Sequence, residues 1–518
     1  MDFAWERLPA PVLEGLCVGG SGKLHLLRLA RLCLAVEPDT QADAARLRPL
    51  GLDLLLAAFE ADPLDDELAG QLLALAPDLR SGPLGRALDA LRCQVGTASA
   101  AEGCERLAKG NDPERACAAL LTPPWPTEAD PLRRLALGNA LFLHGDFEQA
   151  RAEYAAVCAA LPLPTARWRL GECLLRLGER QAALDAWLAA RSARPWNINL
   201  LLRAHDVALG LDAARRPLDG PLAVLLYTWN KAPSLDATLA AVFGSDLDGA
   251  QVFVLNNGST DDTAGVVSAW QDRVGTGRMS RIDLPVNAGA PVARNWLASL
   301  PAVAACRFAA FLDDDALPPP DWISRLGAAV AAYPGAGVYG CKVVDADNPV
   351  VIQNADLHIR PGSAVASKTI GPGGGVELSD LHLLEPDYGQ FDYLRPCVSV
   401  TGCCHLFRTR VLADCGGFDI GLSPSQFDDL EHDLRLNLKG RPAVYQGHLT
   451  VRHARRSGEQ ARQSARAAAS SFGNMAKIER LHPRREIADL AQQDRQRLVE
   501  DLRRKAEALG PEWRLEPL

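Results

Sequence analysis

The apolar pattern divides the chain in two. Up to residue 125 leucine and alanine dominate, with apolar positions at helical spacing, as at Leu50, Leu52, Leu54, Leu55 and Phe59. Breaks at Pro63, Pro77, Pro83 and Pro123-Pro124-Trp125-Pro126 predict several short helices packed on one another. From Pro131 to Pro195 the pattern repeats. Leu137-Gly138, Leu141, Ala150, Tyr154 and Pro162 return 33 residues later as Leu170-Gly171, Leu174, Ala183, Trp187 and Pro195. After Leu222 the period changes. Short apolar runs at Leu222–Tyr227, Gln251–Leu255, Ile282–Leu284 and Arg307–Leu312 read as strands. Helical stretches alternate with them, one from Ser234 (a candidate N-cap), one from Thr263 and one through Arg294. This order predicts a mostly parallel sheet with right-handed crossovers, whose ligands bind beyond the carboxyl ends of the strands.

Composition narrows the class. With 48% hydrophobic and 23% charged residues the chain reads as globular, and a net charge of −9 argues against a nucleic-acid footprint. No apolar run approaches the roughly 18 residues of a membrane span, and the N-terminus lacks the layout of a signal peptide. The 13 cysteines form no C-x-x-C pair and read as reduced, mostly buried small residues; for adjacent Cys403-Cys404 a redox pair or metal ligands is the less favoured alternative. A cytoplasmic location is expected. After His453, Arg455, Arg456, Arg462, Arg466, Arg480, Arg484 and Arg485 lead into a charged helix. Such a helix lies peripherally on anionic lipid at the inner membrane face, packs back on the preceding domain or sits in solvent.

The strand ends carry the candidate chemistry. The fourth apolar run ends in Asp313-Asp314-Asp315. Three adjacent carboxylates repel one another unless a cation sits among them, and two at i and i+2 can converge on one hard ion, Mg²⁺ or Mn²⁺. The bland alternative is a solvated acidic turn. Polar clusters also close the other strands: Thr228-Trp229-Asn230-Lys231, Asn256-Asn257-Gly258-Ser259-Thr260-Asp261, and Asn287-Ala288-Gly289 followed by Arg294-Asn295. Further on come Val400-Thr401-Gly402, Gly416-Gly417-Phe418-Asp419, Asp428-Asp429-Leu430-Glu431 with Arg435 and Gly440, and Val451-Arg452-His453. In order and spacing these clusters resemble family 2 glycosyltransferases across about residues 222–455. The 33-residue helical repeat is similar to the tetratricopeptide pattern, in which a small residue admits an aromatic from the paired helix.

The resemblance implies an α/β GT-A fold, a Rossmann-like mixed sheet preceded by an all-α helical-repeat domain. The expected domains are a helical region at 1–125, tetratricopeptide-like repeats at 126–215, the GT-A domain at 220–455 and a helical extension at 456–518. It also implies a nucleotide-diphospho-sugar donor and a glycan, lipid-linked glycan or protein acceptor, with inversion. A divalent ion, Mn²⁺ or Mg²⁺, would be held by Asp313, Asp315 and His453. The nucleotide would lie over Thr228, Asn230, Asn256 and Arg294, with Asp314 reaching the ribose. Asp429 is the favoured general base and Asp428 the second choice. Asn256 departs from the family's usual aspartate, which leaves the base of the donor open. The repeats would bind a protein partner or serve as a spacer. The aromatic stretch Asp387–Tyr393 would serve an acceptor site or lid, or pack as an insertion on the sheet. Two rivals stand beside this reading. One is a scaffold with an inert nucleotide-binding domain. The other is a nucleotidyltransferase, which would need a glycine-rich phosphate loop where Thr228-Trp229-Asn230-Lys231 stands.

Overall fold

The computed structural model describes residues 5–35, 41–93, 113–121, 125–360, 376–379, 381–383, 385–454 and 465–515. Two compact units share the chain. One comprises Met1–Leu209, Asp380–Phe391 and Leu502–Leu518, the other Gly210–Ser379 and Asp392–Asp501.

The first unit is helical. Its elements are α1 (Ala10–Val18), α2 (Lys23–Ala35), α3 (Gln41–Ala61), α4 (Asp66–Leu75), α5 (Pro83–Arg92) and α6 (Pro113–Leu121). They continue as α7 (Asp130–His144), α8 (Phe147–Ala160), α9 (Pro164–Arg176), α10 (Arg180–Ala193) and α11 (Ile198–Ala208). Prolines open α5, α7 and α9, where the missing N–H costs nothing. The repeated residues do the same work in each helix pair. Gly138 of α7 faces the Tyr154 ring of α8, and Gly171 of α9 faces Trp187 of α10. A Cβ at either glycine would come within 2.8 Å and 2.4 Å of the respective ring. The small residue therefore sets how closely each pair packs, and the buried aromatic fills the groove.

The second unit is built on a mixed sheet in the order β3-β2-β1-β4-β9-β6-β10-β5. Its strands are β1 (Leu222–Thr228), β2 (Gln251–Asn257), β3 (Met279–Leu284), β4 (Phe308–Leu312), β5 (Ala316–Leu317) and β6 (Val338–Asp345). The rest are β7 (Ile352–Asn354), β8 (Leu394–Cys397), β9 (Cys404–Arg408) and β10 (Ala443–His453). β3, β2, β1 and β4 run parallel, so their carboxyl ends share one edge. β9 enters antiparallel between β4 and β6. Buried on both faces, β1 and β4 are nearly continuous apolar runs, as a helix-covered parallel sheet requires. The crossover helices are α12 (Ala232–Phe243), α13 (Thr263–Val274) and α14 (Ala290–Ser299). α12 begins two residues before the expected cap Ser234. Pro233 sits in its first turn, where a fixed φ suits a helix start.

Four helices complete this unit: α15 (Pro301–Ala304), α16 (Trp322–Ala332), α17 (Thr409–Cys415) and α18 (Asp428–Leu438). After them come α19 (Ala465–Leu481) and α20 (Arg484–Leu509), which belong to the sheet unit as far as Asp501. Their Ile478, Ile487 and Leu490 join Leu430 and Leu434 of α18 in one apolar cluster. In this part the extension packs back. The Arg455, Arg456 and Arg462 of the basic run lie outside the described residues, as does the glycine stretch 371–375. No described helix is long and apolar enough to cross a membrane.

Candidate active site

The expected site residues converge on the shared strand edge through three register choices. The β4–β9 pairing sets Leu312 opposite Cys404, so Asp313 follows beside Cys403, whose carbonyl accepts the Asp313 N–H at 3.0 Å. The β10–β5 pairing sets His453 opposite Ala316, next to Asp315. At the third, the end of β1, Asn230 takes a left-handed conformation, φ 53°, that asparagine tolerates better than most residues. Its Oδ1 accepts from Thr260 N at 2.7 Å and its backbone N donates to Ser259 Oγ at 3.0 Å, tying the end of β1 to the turn after β2.

The acidic cluster is buried and highly charged. His453 Nε2 lies 3.0 Å from Asp315 Oδ1 and 3.8 Å from Asp313 Oδ2. Lys231 Nζ lies 3.1 Å from Asp314 Oδ1 and also donates to Asp315. Burial pushes Asp313 up to about 6. Burial also raises Asp314 against the pull of Lys231. At Asp315 burial is outweighed by the neighbouring His453 ring and by Lys231, so its pKa falls below the ordinary range. Lys231 gains more from the two carboxylates than it loses by burial, and its pKa rises.

These groups fit a divalent ion. His453 Nδ1 pairs with Gln353 Oε1 at 3.0 Å, which assigns the ring proton to Nδ1 and turns the Nε2 lone pair toward the carboxylates. Nε2 makes no hydrogen bond among the described residues. A lone pair held against carboxylate oxygens calls for a cation between them. Asp313, Cys403 and His453 offer ligand atoms that all lie within 4.8 Å of one another. Sequence reasoning set Cys403 aside as a packing residue, because only the antiparallel entry of β9 brings it here. Burial keeps its thiol far from ionising, so the oxygens and the imidazole are the ready donors.

Arg294 of α14 joins this cluster to the second acidic group. Buried beneath the site, it reaches Asp428 Oδ2 at 3.3 Å and Asp313 Oδ1 at 3.7 Å, and packs over the Tyr227 and Phe418 rings. Its Nε and Nη1 make no hydrogen bond among the described residues. Asp428 opens α18, and burial raises its pKa while Arg294 opposes the rise. Asp429 is half-buried. Its Oδ2 accepts from Gly402 N at 2.7 Å and its Oδ1 from Leu430 N at 2.9 Å. One turn on, Asp433 accepts from Ser399 Oγ and Val400 N, so α18 holds the 399–402 loop at two points. A side chain at Gly402 would meet Arg294 Nη2 at 2.6 Å and Asp429 Oδ2 at 2.9 Å, which is why a glycine stands there.

On the nucleotide side, Thr228 and Asn256 are buried at the strand ends. The Asn256 amide is already engaged. Its Oδ1 accepts from Ser259 N at 3.1 Å and its Nδ2 donates to Asp283 Oδ1 at 2.9 Å. The more exposed carboxylate is therefore Asp283, itself clamped by Arg281. Lys231, Cys403, Gln353 and Asp283 are the site residues that sequence reasoning did not assign. Lys231 stands inside a quoted cluster, while the other three are visible only once distant strands are paired.

Residues 223–416 match the family model described as Glycosyl transferase family 2. The chain carries a family 2 glycosyltransferase domain. The curated validoxylamine A glucosyltransferase of Streptomyces hygroscopicus subsp. jinggangensis (strain 5008) is 30% identical over 229 residues, 43% of this chain and 52% of that protein. The chain thus spans about half the length of the curated relative it matches. Among solved structures, GalNAc-T7 with UDP, GalNAc and Mn²⁺ aligns over 57% of this chain and 52% of its own, at 13% identity and a TM-score of 0.38. A mannosyltransferase from Pyrobaculum calidifontis in complex with GDP-Man and Mn²⁺ aligns over 61% and 88%, at 16% identity and a TM-score of 0.34. The match to the glycosyltransferase family ends at residue 416, short of Asp428, Asp429 and His453. Arg294 and strand β10 bring those three back to the site of the glycosyltransferase domain.

Proposed function

We propose that the protein transfers a sugar from a nucleotide-diphospho-sugar to a hydroxyl acceptor, with inversion. One observation carries this reading. Carboxylates and an imidazole lone pair face one another at the strand edge, bridged by Arg294 to a second carboxylate pair at a helix start. A divalent ion, Mn²⁺ or Mg²⁺, held by Asp313, Asp315 and His453 would neutralise the departing diphosphate.

The chain's own groups supply the rest. Arg294 has buried N–H groups without hydrogen-bond partners, suited to phosphate oxygens. Asp428 holds the guanidinium in place. Asp429 sits in the first turn of α18 and takes the proton from the acceptor hydroxyl. One base and a direct displacement give inversion. Thr228 and Asn230 shape the nucleotide floor, Asp314 reaches toward the ribose, and Asn256 acts through Asp283 at the base edge. The acceptor is a glycan, a lipid-linked glycan or a protein. The name of the curated relative adds a glucosyl donor to the candidates.

A thermal-shift panel of UDP, GDP, dTDP and CMP, each with and without Mn²⁺, tests the reading. Stabilisation by one nucleotide only with metal, lost in Asp315→Ala with unchanged circular dichroism, is the expected result. A folded protein that shifts with none of them points instead to a scaffold with an inert nucleotide-binding domain.

A further inference from the structure

We infer that the helical unit is a binding site for one segment of this same chain, residues 381–383 and 385–391, which its repeats hold in cis. In sequence this segment lies between β7 and β8 of the sheet unit, yet its contacts place it in the helical unit. Three first helices of successive repeats each contribute to its grip. Phe142 of α7 lies 5.8 Å from the Tyr388 ring, centroid to centroid. From α9, the Arg169 guanidinium sits 4.0 Å from the centroid of the same ring. Asn199 of α11 donates from Nδ2 to the Gln390 carbonyl at 2.9 Å.

The grip is built around a turn. Gly389 has φ +83° and lies on the Glu172 carboxylate of α9, where a Cβ would come within 2.7 Å of Oε2. Glu172 is itself fixed by Arg203 through a two-point ion pair at 2.9 and 3.0 Å. Glu385 Oε1 accepts from the Lys23 backbone N at 3.0 Å, and the Leu381 carbonyl lies against Gly22. The amide of Asn199 is used on both sides, because its Oδ1 accepts from Gly20 N at 2.8 Å. Removing the segment would orphan a buried donor on α11 and bare the Arg169 and Glu172 charges.

The polar face is itself a product of the repeat. Asn139, Glu172 and His205 stand 33 residues apart on α7, α9 and α11, all buried. Buried polar side chains on an inner helical face need partners: Glu172 pairs with Arg203, while Arg169 and Asn199 find theirs in the segment. An outside peptide would have to displace residues 388–390 to reach these groups. The repeats therefore act as a clamp on the chain leading into β8, and this face is not the one that recruits an acceptor.

Hydrogen exchange read by mass spectrometry on the full chain tests the clamp. In the wild type, peptides covering 381–391 should exchange far more slowly than an unstructured peptide of that sequence. Tyr388→Ala should speed exchange about tenfold in 381–391 and in the inner turns of α9 and α11, while β1 to β4 stay as in the wild type. Gly389→Ala should do the same through its clash with Glu172. Tyr388→Phe, which keeps the ring, should match the wild type. Wild-type exchange of 381–391 at the unstructured rate would overturn the inference without any variant. So would unchanged protection in both Tyr388→Ala and Gly389→Ala.

Discussion

Lys231 is the cation that the acidic cluster keeps within the protein. Its ammonium reaches Asp314 and Asp315 from the cap position of α12, where Pro233 has started the helix early enough to aim it. Without it Asp314 and Asp315 lose the cation they share. Lys231→Met should therefore lower the stability of the metal-free protein by about 1–2 kcal/mol, a modest figure because the lysine side chain is 39% exposed. Added Mn²⁺ should restore most of the loss. Chemical denaturation of both proteins with and without Mn²⁺ reads this directly, and equal stability in the absence of metal would show that the pairs to Lys231 contribute nothing. The lysine was readable as a polar residue after a strand. Its role was not, because that depends on where α12 begins.

At the scale of elements, what could be read from the sequence follows from how each strand is paired. β1, β2 and β4 are consecutive, parallel and buried, so their apolar runs and polar ends mark both strand and site. β8, β9 and β10 are short or alternating and are paired by long-range registers that no local pattern states. That is why His453 was placed only through the family resemblance and Cys403 was left as packing. The same distance hides a buried network around His358. Its Nε2 meets Asp356 at 2.9 Å and its Nδ1 meets Asp494 of α20 at 2.9 Å, with Arg395 of β8 and Tyr393 on the same carboxylate, Asp356. Burial opposes a charge on His358, but Asp494 and Asp356 outweigh burial and Arg395, so its pKa lies above the ordinary 6.5. A raised histidine pKa gives stability that is fully present below 6.5 and is lost as the pH rises through the folded value. Urea unfolding from about pH 6 to about pH 9 should show the wild type losing this increment, with His358→Gln insensitive across the same window. A constant gap between the two proteins would mean that His358 stays neutral.

At the scale of the whole molecule, the chain crosses between its units more than once. The chain passes between its units at 209–210, 379–380, 391–392 and 501–502. The helical unit therefore includes pieces that a cut in the first third would leave behind. In a 210–518 fragment, Tyr388 loses Arg169 and Phe142, and Trp513 loses the Arg191 guanidinium 5.7 Å from its ring. The buried Phe391 and Trp513 side chains would then face water. Exposed aromatic surface of that kind drives association. The fragment should express poorly or elute as aggregate. A second fragment, 210–501 with a short Gly-Ser link in place of 381–391, removes the orphaned pieces and leaves the sheet unit's own core. It should elute as a defined species by size-exclusion chromatography with light scattering and keep the metal-dependent nucleotide shift of the full chain. If the simple 210–518 fragment behaves equally well, the returning segments add nothing to the helical unit and that unit is a detachable spacer. If only the trimmed fragment does, the helices and the segments they hold form one folding unit, and acceptor assays on the trimmed fragment then separate the transfer chemistry from the clamp.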